Sequence, residues 1–407
     1  MHFDIKHNTK VCNGKLKITG SKSETNRLLL IQAFISGFKI QNKSNSEDSM
    51  LMSSALQSKA NVIDVNHAGT AMRFLTAYFS QIDGREVLLT GSKRMQERPI
   101  KILVDALNSI GADITYDKKK GYPPLRIKGK KLRGGFIALP ANISSQFISA
   151  LIMLGPFVEK GISLKLTGDI TSKPYINMTL FLLERFGIKT EFEGQTIKVE
   201  CNNSPKKINQ VVESDWSSAS YIYSIVALSN ESEILLKTFK QKSLQGDSII
   251  YKIYKKLGVS SIFIDSDLIL KKEKVNLPKK IYYDLSNSPD IAQTICVTCF
   301  GLGVECELVG LHTLKIKETD RLLALYTELK KLGADIIVTD NSLHLSSNNS
   351  FVKNCSIATY GDHRMAMAFA PLSLKVPLSI ENASVVSKSY PDFWNDLIQL
   401  NFVLKNR

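Results

Sequence analysis

The sequence predicts an α/β fold in which helices back small sheets, and three observations carry that expectation. At 407 residues the chain is long enough for two domains with substantial cores. A helix, a glycine-bearing stop and a two-strand hairpin recur at 99–129, 174–200, 246–272 and 318–346, with a partial copy at 46–65. Hydrophobic residues at 43% and charged residues at 22% are ordinary proportions for a globular enzyme. A unit reused in this way buries the apolar face of each helix against its neighbours. The copies are too long and too loosely alike for a solenoid, and their spacing alone does not give a topology.

The copy at 318–346 shows how each element is read. Leu322, Leu325, Leu329 and Leu332 fall at i, i+3, i+7 and i+10, one apolar helical stripe. Thr319 is the expected N-cap and Gly333 the expected stop. Two short strands follow, on either side of Asn341-Ser342. Lys317, Glu318, Asp320 and Arg321 therefore crowd the start of a helix, where free N–H groups favour bound anions. Taken alone, two cations beside two acids also fit a solvated cap.

Composition excludes several classes. No apolar run approaches membrane-spanning length, and the first ten residues hold no signal-peptide core, so the expected location is the cytoplasm. The six cysteines form no disulfide framework. Cys296 and Cys299 have metal or redox spacing but lie in an apolar run without a second pair, so they read as buried thiols, and no metal site is expected. The net charge of +15 raises a nucleic-acid-binding reading. Much of the excess sits in 117–135 and 270–280, without the spaced aromatics of a base-stacking surface. A solvated basic face that steers small polyanions explains it more simply.

Polar chemistry concentrates in loops that feed helices. In chain order these loops carry Lys22, Ser23 and Arg27; Gly69 and Arg73; Arg94 and Arg98 ahead of a helix begun by Pro99; Ser144, Ser145 and Gln146; and Ser172 and Tyr175. Beyond them come Asp215, Asp290, the run Asp362-His363-Arg364, and Lys388. A single such start is usually an ordinary cap. About nine starts bearing Ser, Lys, Arg or Asp fit a shared cleft lined by helix N-termini. Arginine matches phosphate and carboxylate oxygens in a fork and lysine supplies a movable charge, so the ligand should carry several anionic groups. Asp290, Glu318 and His363 are the groups there able to move protons. With no covalent-nucleophile order, metal-ligand cluster or dinucleotide fingerprint, the residues read as a cofactor-free transferase or isomerase acting on small polyanions.

The same segments, in family order, are GSKSETNR (20–27), AGTAMR (68–73), LTGSKRMQERPI (89–100), SSQF (144–147), SKPY (172–175), SDWSSASY (214–221), Pro289-Asp290, KETDRL (317–322), GDHRMAM (361–367) and KSYP (388–391). Together they resemble the 5-enolpyruvylshikimate-3-phosphate synthases of the enolpyruvyl transferase family, over nearly the whole chain. The resemblance implies a two-domain inside-out α/β barrel, each domain built of three βαβαββ repeats around a central cleft. One domain would be discontinuous, 1–19 plus 213–407, and the other would span 20–212.

The resemblance further implies phosphoenolpyruvate and shikimate 3-phosphate as substrates, no cofactor, no nucleic-acid or membrane partner, and a monomer. Phosphoenolpyruvate would meet Lys22, Gly69, Arg94, Gln146, Arg321, Arg364 and Lys388. Shikimate 3-phosphate would meet Lys22, Ser23, Arg27, Ser144, Ser145, Gln146, Ser172, Tyr175, Asp290, Thr313 and Lys317. Asp290, Glu318, Lys22 and His363 would be the catalytic set. His67, Phe74 and Thr313 depart from residues common in the family, the first two beside the phosphoenolpyruvate loop. Gly69 still leaves room for glyphosate, so sensitivity to it is expected. The sister transferase that acts on UDP-N-acetylglucosamine is the alternative within the family. Its reactive loop cysteine has no counterpart, since residues 85–100 contain none.

Overall fold

The computed structural model describes residues 1–141, 144–202, 204–347 and 350–407. The chain divides into two compact units, Met1–Thr19 with Glu213–Arg407, and Gly20–Val212.

In the discontinuous unit three four-stranded sheets share one pattern: a parallel pair, then two antiparallel strands. Lys280–Asp284 runs parallel to Glu305–Val309, which pairs antiparallel with Ser342–Leu345 and that in turn with Ile336–Val338. Val11–Leu16, Glu231–Lys237, Asp267–Lys272 and Val259–Ile264 repeat the order. So do Ser356–Ile357, Leu378–Ile380, Phe3–His7 and Phe402–Asn406, where the first strand of the chain closes the last sheet. A parallel pair needs a crossover, and a helix supplies each one.

Those crossover helices explain the inside-out arrangement. Trp216–Leu228, Ala292–Leu302 and His363–Phe369 are buried almost all round, as expected of helices enclosed by protein on every side. They approach closely: a Cβ on Gly301 would stand 2.6 Å from Leu228 Cδ2. Small hydroxyls one turn apart bridge them, Thr298 Oγ1 donating to Ser224 Oγ at 2.7 Å and Ser220 lying 3.3 Å from Thr294. Cys296 and Cys299 lie within this core as thiols, and burial pushes both well above the ordinary thiol range.

The helix Arg321–Lys331 instead lies with one face in the core. Leu322, Leu325 and Leu329 are buried and Leu323 is exposed, the stripe expected from their spacing. Its N-cap is Asp320, whose Oδ1 accepts from Leu323 N at 3.1 Å, and not the expected Thr319. Both residue types cap well; the carboxylate also complements the positive end of the helix. Gly333 ends the segment at φ +91°, a conformation open to glycine.

In the continuous unit two sheets follow the same pattern. They are Val62–Asp64, Glu86–Thr90, Leu125–Lys128 and Asp113–Tyr116, and Gly135–Pro140, Ile162–Thr167, Thr196–Val199 and Thr190–Glu193. The third is reduced to a parallel pair, Ile40–Gln41 with Gln210–Val211. Pro99 does not open a helix: a short helix, Lys93–Gln96, precedes it, and the next begins at Lys101 after Ile100.

Candidate active site

Four segment ends of the discontinuous unit bring their charged residues together. Asp290 lies in the 3-10 turn Pro289–Ile291 ahead of a crossover helix, and Arg321 is the first residue of its helix. Arg364 lies on the first turn of His363–Phe369, whose N-cap is Asp362, and Lys388 ends the 3-10 segment Ala383–Lys388.

Arg321 is the hub, at 2% exposure. Its Nε donates to Asp362 Oδ2 at 2.7 Å, Nη1 to Asp290 Oδ1 at 2.8 Å and Nη2 to Glu318 Oε2 at 2.8 Å. The rigid guanidinium fork thus serves three carboxylates in three directions, which an ammonium could not reproduce. Burial works against its charge, but Asp362, Glu318 and Asp290 outweigh it and keep Arg321 protonated. Asp290 also faces Arg364 Nη2 at 3.1 Å and Lys317 Nζ at 3.4 Å, and its backbone oxygen accepts from Arg364 Nη1. Glu318 Oε1 faces Lys388 Nζ at 3.1 Å.

Burial by itself would raise the pKa of Asp290. Arg364, Lys317 and Arg321 override that effect and hold its carboxyl well below the usual range. Burial pushes the Lys317 ammonium down, with Asp290 opposing. His363 is buried beside the cluster, its Nδ1 3.7 Å from Asp362 Oδ1. Thr313 lies in the 3-10 segment His312–Ile316, with its Oγ1 buried and without a hydrogen-bond partner among the described residues.

Two carboxylates of this neighbourhood have roles that the sequence does not show. Asp362 reads as an ordinary cap, and it does accept from Arg364 N at 2.9 Å. Its second role toward Arg321 spans 41 residues of sequence and leaves no local signal. Asp247, 1% exposed, accepts from Ser217 Oγ, which in turn receives Arg364 Nη2 at 3.4 Å. Burial and then the nearby Asp290 push its carboxyl up to about 6.

In the continuous unit Lys22, at the first position of its helix, pairs with Asp48 at 3.1 Å. Arg27 is 2% exposed, and all three of its guanidinium nitrogens donate internally: to Thr179 Oγ1, to Ser23 O, and to Ser149 Oγ and Tyr175 O. These acceptors are neutral, and burial lowers its pKa to about 10. Gln146 Nε2 donates to Thr70 Oγ1 at 3.0 Å, joining the first turn of the helix Gly69–Gln81 to the helix capped by Ser144 and begun by Ser145. Ser172 caps Lys173–Arg185 at φ +53° and its carbonyl accepts from Tyr175 N. Arg94 stands on the exposed face of its short helix, 3.1 Å from Glu97.

Buried forks and ammonium groups around two carboxylates suit a small polyanion that undergoes proton transfer. The fold is that of the enolpyruvyl transferases. It matches an EPSP synthase from Acinetobacter baumannii with a TM-score of 0.79 at 21% identity, covering 100% of each chain. It also matches the enolpyruvyl transferase NikO from Streptomyces tendae with a TM-score of 0.76 at 13% identity, covering 99% of this chain and 98% of that one.

Sequence narrows the class further. Residues 49–397 match the family model of EPSP synthase (3-phosphoshikimate 1-carboxyvinyltransferase). The 3-phosphoshikimate 1-carboxyvinyltransferase of Bacteroides fragilis strain YCH46 is 45% identical over 399 residues, 96% of each chain. That of Pseudoalteromonas translucida strain TAC 125 is 34% identical over 418 residues, 96% of this chain and 97% of the relative. The chain therefore belongs to the EPSP synthase family.

Proposed function

We propose that this chain transfers the carboxyvinyl group of phosphoenolpyruvate to the 5-hydroxyl of shikimate 3-phosphate, releasing phosphate. The methylene carbon of phosphoenolpyruvate gains a proton, and positive character builds at its neighbour. The 5-hydroxyl oxygen attacks that carbon and loses its proton, giving a tetrahedral intermediate. Proton loss from the new methyl group and departure of phosphate leave the enol ether. Family membership supports the reaction, and the ring of Arg321, Arg364, Lys317 and Lys388 around Asp290 and Glu318 is the observation that carries it to particular residues.

We assign Asp290 to the hydroxyl proton and Glu318 to the proton at the methylene carbon, with Lys22 and His363 assisting. Without substrate, three cations hold Asp290 ionised and make it a weak base. Phosphate and carboxylate groups bound by those cations would relax that field and raise its basicity when the substrates are in place. Arg321, Arg364 and Lys388 take phosphoenolpyruvate, and Lys317 takes shikimate 3-phosphate. We place the enzyme in the cytoplasm, a reducing compartment that suits six free cysteines, and take it to act as a monomer.

Phosphate release from phosphoenolpyruvate tests the reading, with shikimate 3-phosphate or UDP-N-acetylglucosamine as acceptor. Release is expected with shikimate 3-phosphate alone. Release only with the nucleotide sugar would overturn the acceptor, and release with neither would overturn the reaction.

A further inference from the structure

Glu328 is a fully buried carboxylate that the reaction above does not use. It lies on the helix Arg321–Lys331, seven residues beyond Arg321. Seven residues are about two turns, so both side chains leave the same face. Glu328 Oε1 accepts from the Tyr360 hydroxyl at 2.5 Å, and Oε2 from Ala358 N at 3.2 Å. Lys331 Nζ meets both oxygens, at 2.8 and 2.7 Å. At the other end of the face Arg321 Nε holds Asp362 Oδ2. One helix therefore grips the segment 358–362 at two points.

Between those points the backbone does something unfavourable. Tyr360 and Gly361 are consecutive left-handed residues, at φ +54° and +67°. Gly361 adopts this freely, whereas a residue with a Cβ needs to be held there. Core packing does not provide the hold, since Tyr360 is 43% exposed. A backbone hydrogen bond from Asp362 N to Thr359 O at 2.8 Å closes the turn, and the anchored hydroxyl adds to that hold. Lys331 alone could pair with a carboxylate at the surface; burial of Glu328 serves the two donors that precede Gly361.

We propose that Glu328 and Tyr360 form a strut whose function is to aim Asp362 and Arg364, making both positioning residues for phosphoenolpyruvate. The left-handed turn sets where Asp362 begins its helix, and Asp362 in turn fixes Arg364 N and Arg321 Nε. This rests on the assignment of Arg364 to phosphoenolpyruvate.

The test is Tyr360→Phe, which removes one oxygen from an exposed ring, with Glu328→Gln as a second variant that weakens the strut from its other end. In both, the KM for phosphoenolpyruvate should rise about fivefold or more, with the KM for shikimate 3-phosphate within about twofold of the parent. Amide hydrogen exchange at residues 359–364 should speed up in the same variants without any assay of turnover. A role confined to stability would lower the melting temperature and leave the KM for phosphoenolpyruvate unchanged, and that result overturns the proposal. So does unchanged exchange at 359–364. A parent inactive with shikimate 3-phosphate would instead count against the reaction, while the exchange measurement would still decide whether the strut exists.

Discussion

Arg321 and Asp362 pair at 2.7 Å with exposures of 2% and 0%, joining the start of one helix to the cap of another. A buried pair of this kind adds little by itself, but breaking it strands a charge in the interior. Asp362→Ala would leave Arg321 Nε without that acceptor and would also remove the cap on Arg364 N. The expected loss is about 3–5 kcal/mol of stability. Urea unfolding followed by circular dichroism measures it. A loss below about 1 kcal/mol would mean that the neighbouring carboxylates compensate.

Asp290 and Glu318 share that hub but are assigned the proton transfers. Asp290→Asn and Glu318→Gln should each lower kcat by about 10²-fold or more while substrate binding persists. For Asp290→Asn, phosphoenolpyruvate should bind at least as tightly as to the parent. The variant removes a carboxylate that neutralises Arg321, Arg364 and Lys317 in the ligand-free protein. Calorimetry beside steady-state rates separates the two effects. Near-parental turnover in either variant sinks that residue's assignment.

Glyphosate should compete with phosphoenolpyruvate in the parent, with an inhibition constant near or below the KM for that substrate. Gly69 opens the helix Gly69–Gln81, and a Cβ placed there would stand 2.6 Å from Arg98 Nη1 and 3.2 Å from Arg73 Nη1. Both neighbours are the ends of flexible side chains, so Gly69→Ala should fold with those guanidinium groups displaced. The inhibition constant should then rise about tenfold or more, from the loss of roughly 1.4 kcal/mol of inhibitor binding. A parental constant far above the KM for phosphoenolpyruvate would point to His67 or Phe74 as the cause of resistance.

The sequence made the helices legible wherever a local period or stop signal existed. Leu322, Leu325 and Leu329 declare their buried face, and Gly333 its end. Pairing between distant strands carries no such signal. Cys12 lies opposite Ser232 in a parallel pair with the whole continuous unit between them in sequence. The short-range errors have a different origin. Thr319 and Asp320 are both good caps one residue apart, and Pro99 suits a helix start as well as the loop it occupies. At the candidate site the cations stood out because they precede apolar helices. The reach of Asp362 to Arg321 and of Asp247 to Ser217 did not, because a carboxylate before a helix has a sufficient local explanation.

Asp396 offers a test of electrostatics away from the candidate site. It is 5% exposed, and burial, opposed by the Tyr390 hydroxyl and reinforced by Asp392, raises its pKa from 3.8 to about 6. Between those values the unfolded chain is more ionised than the native one, so the native state binds the extra proton. Stability from this group therefore falls as pH rises from about 4 to about 6 and stays low above that. At pH 7 the cost is on the order of 2–3 kcal/mol. Asp396→Asn keeps an oxygen to accept from Tyr390 and has no proton to lose. The variant should thus be more stable than the parent at pH 7 and gain little or nothing at pH 4. Urea midpoints at the two pH values check this. An equal gain at both would assign the effect to packing, and a loss at pH 7 would show that the ionised carboxylate is stabilised by its hydrogen bond to Tyr390 more than it is penalised by burial.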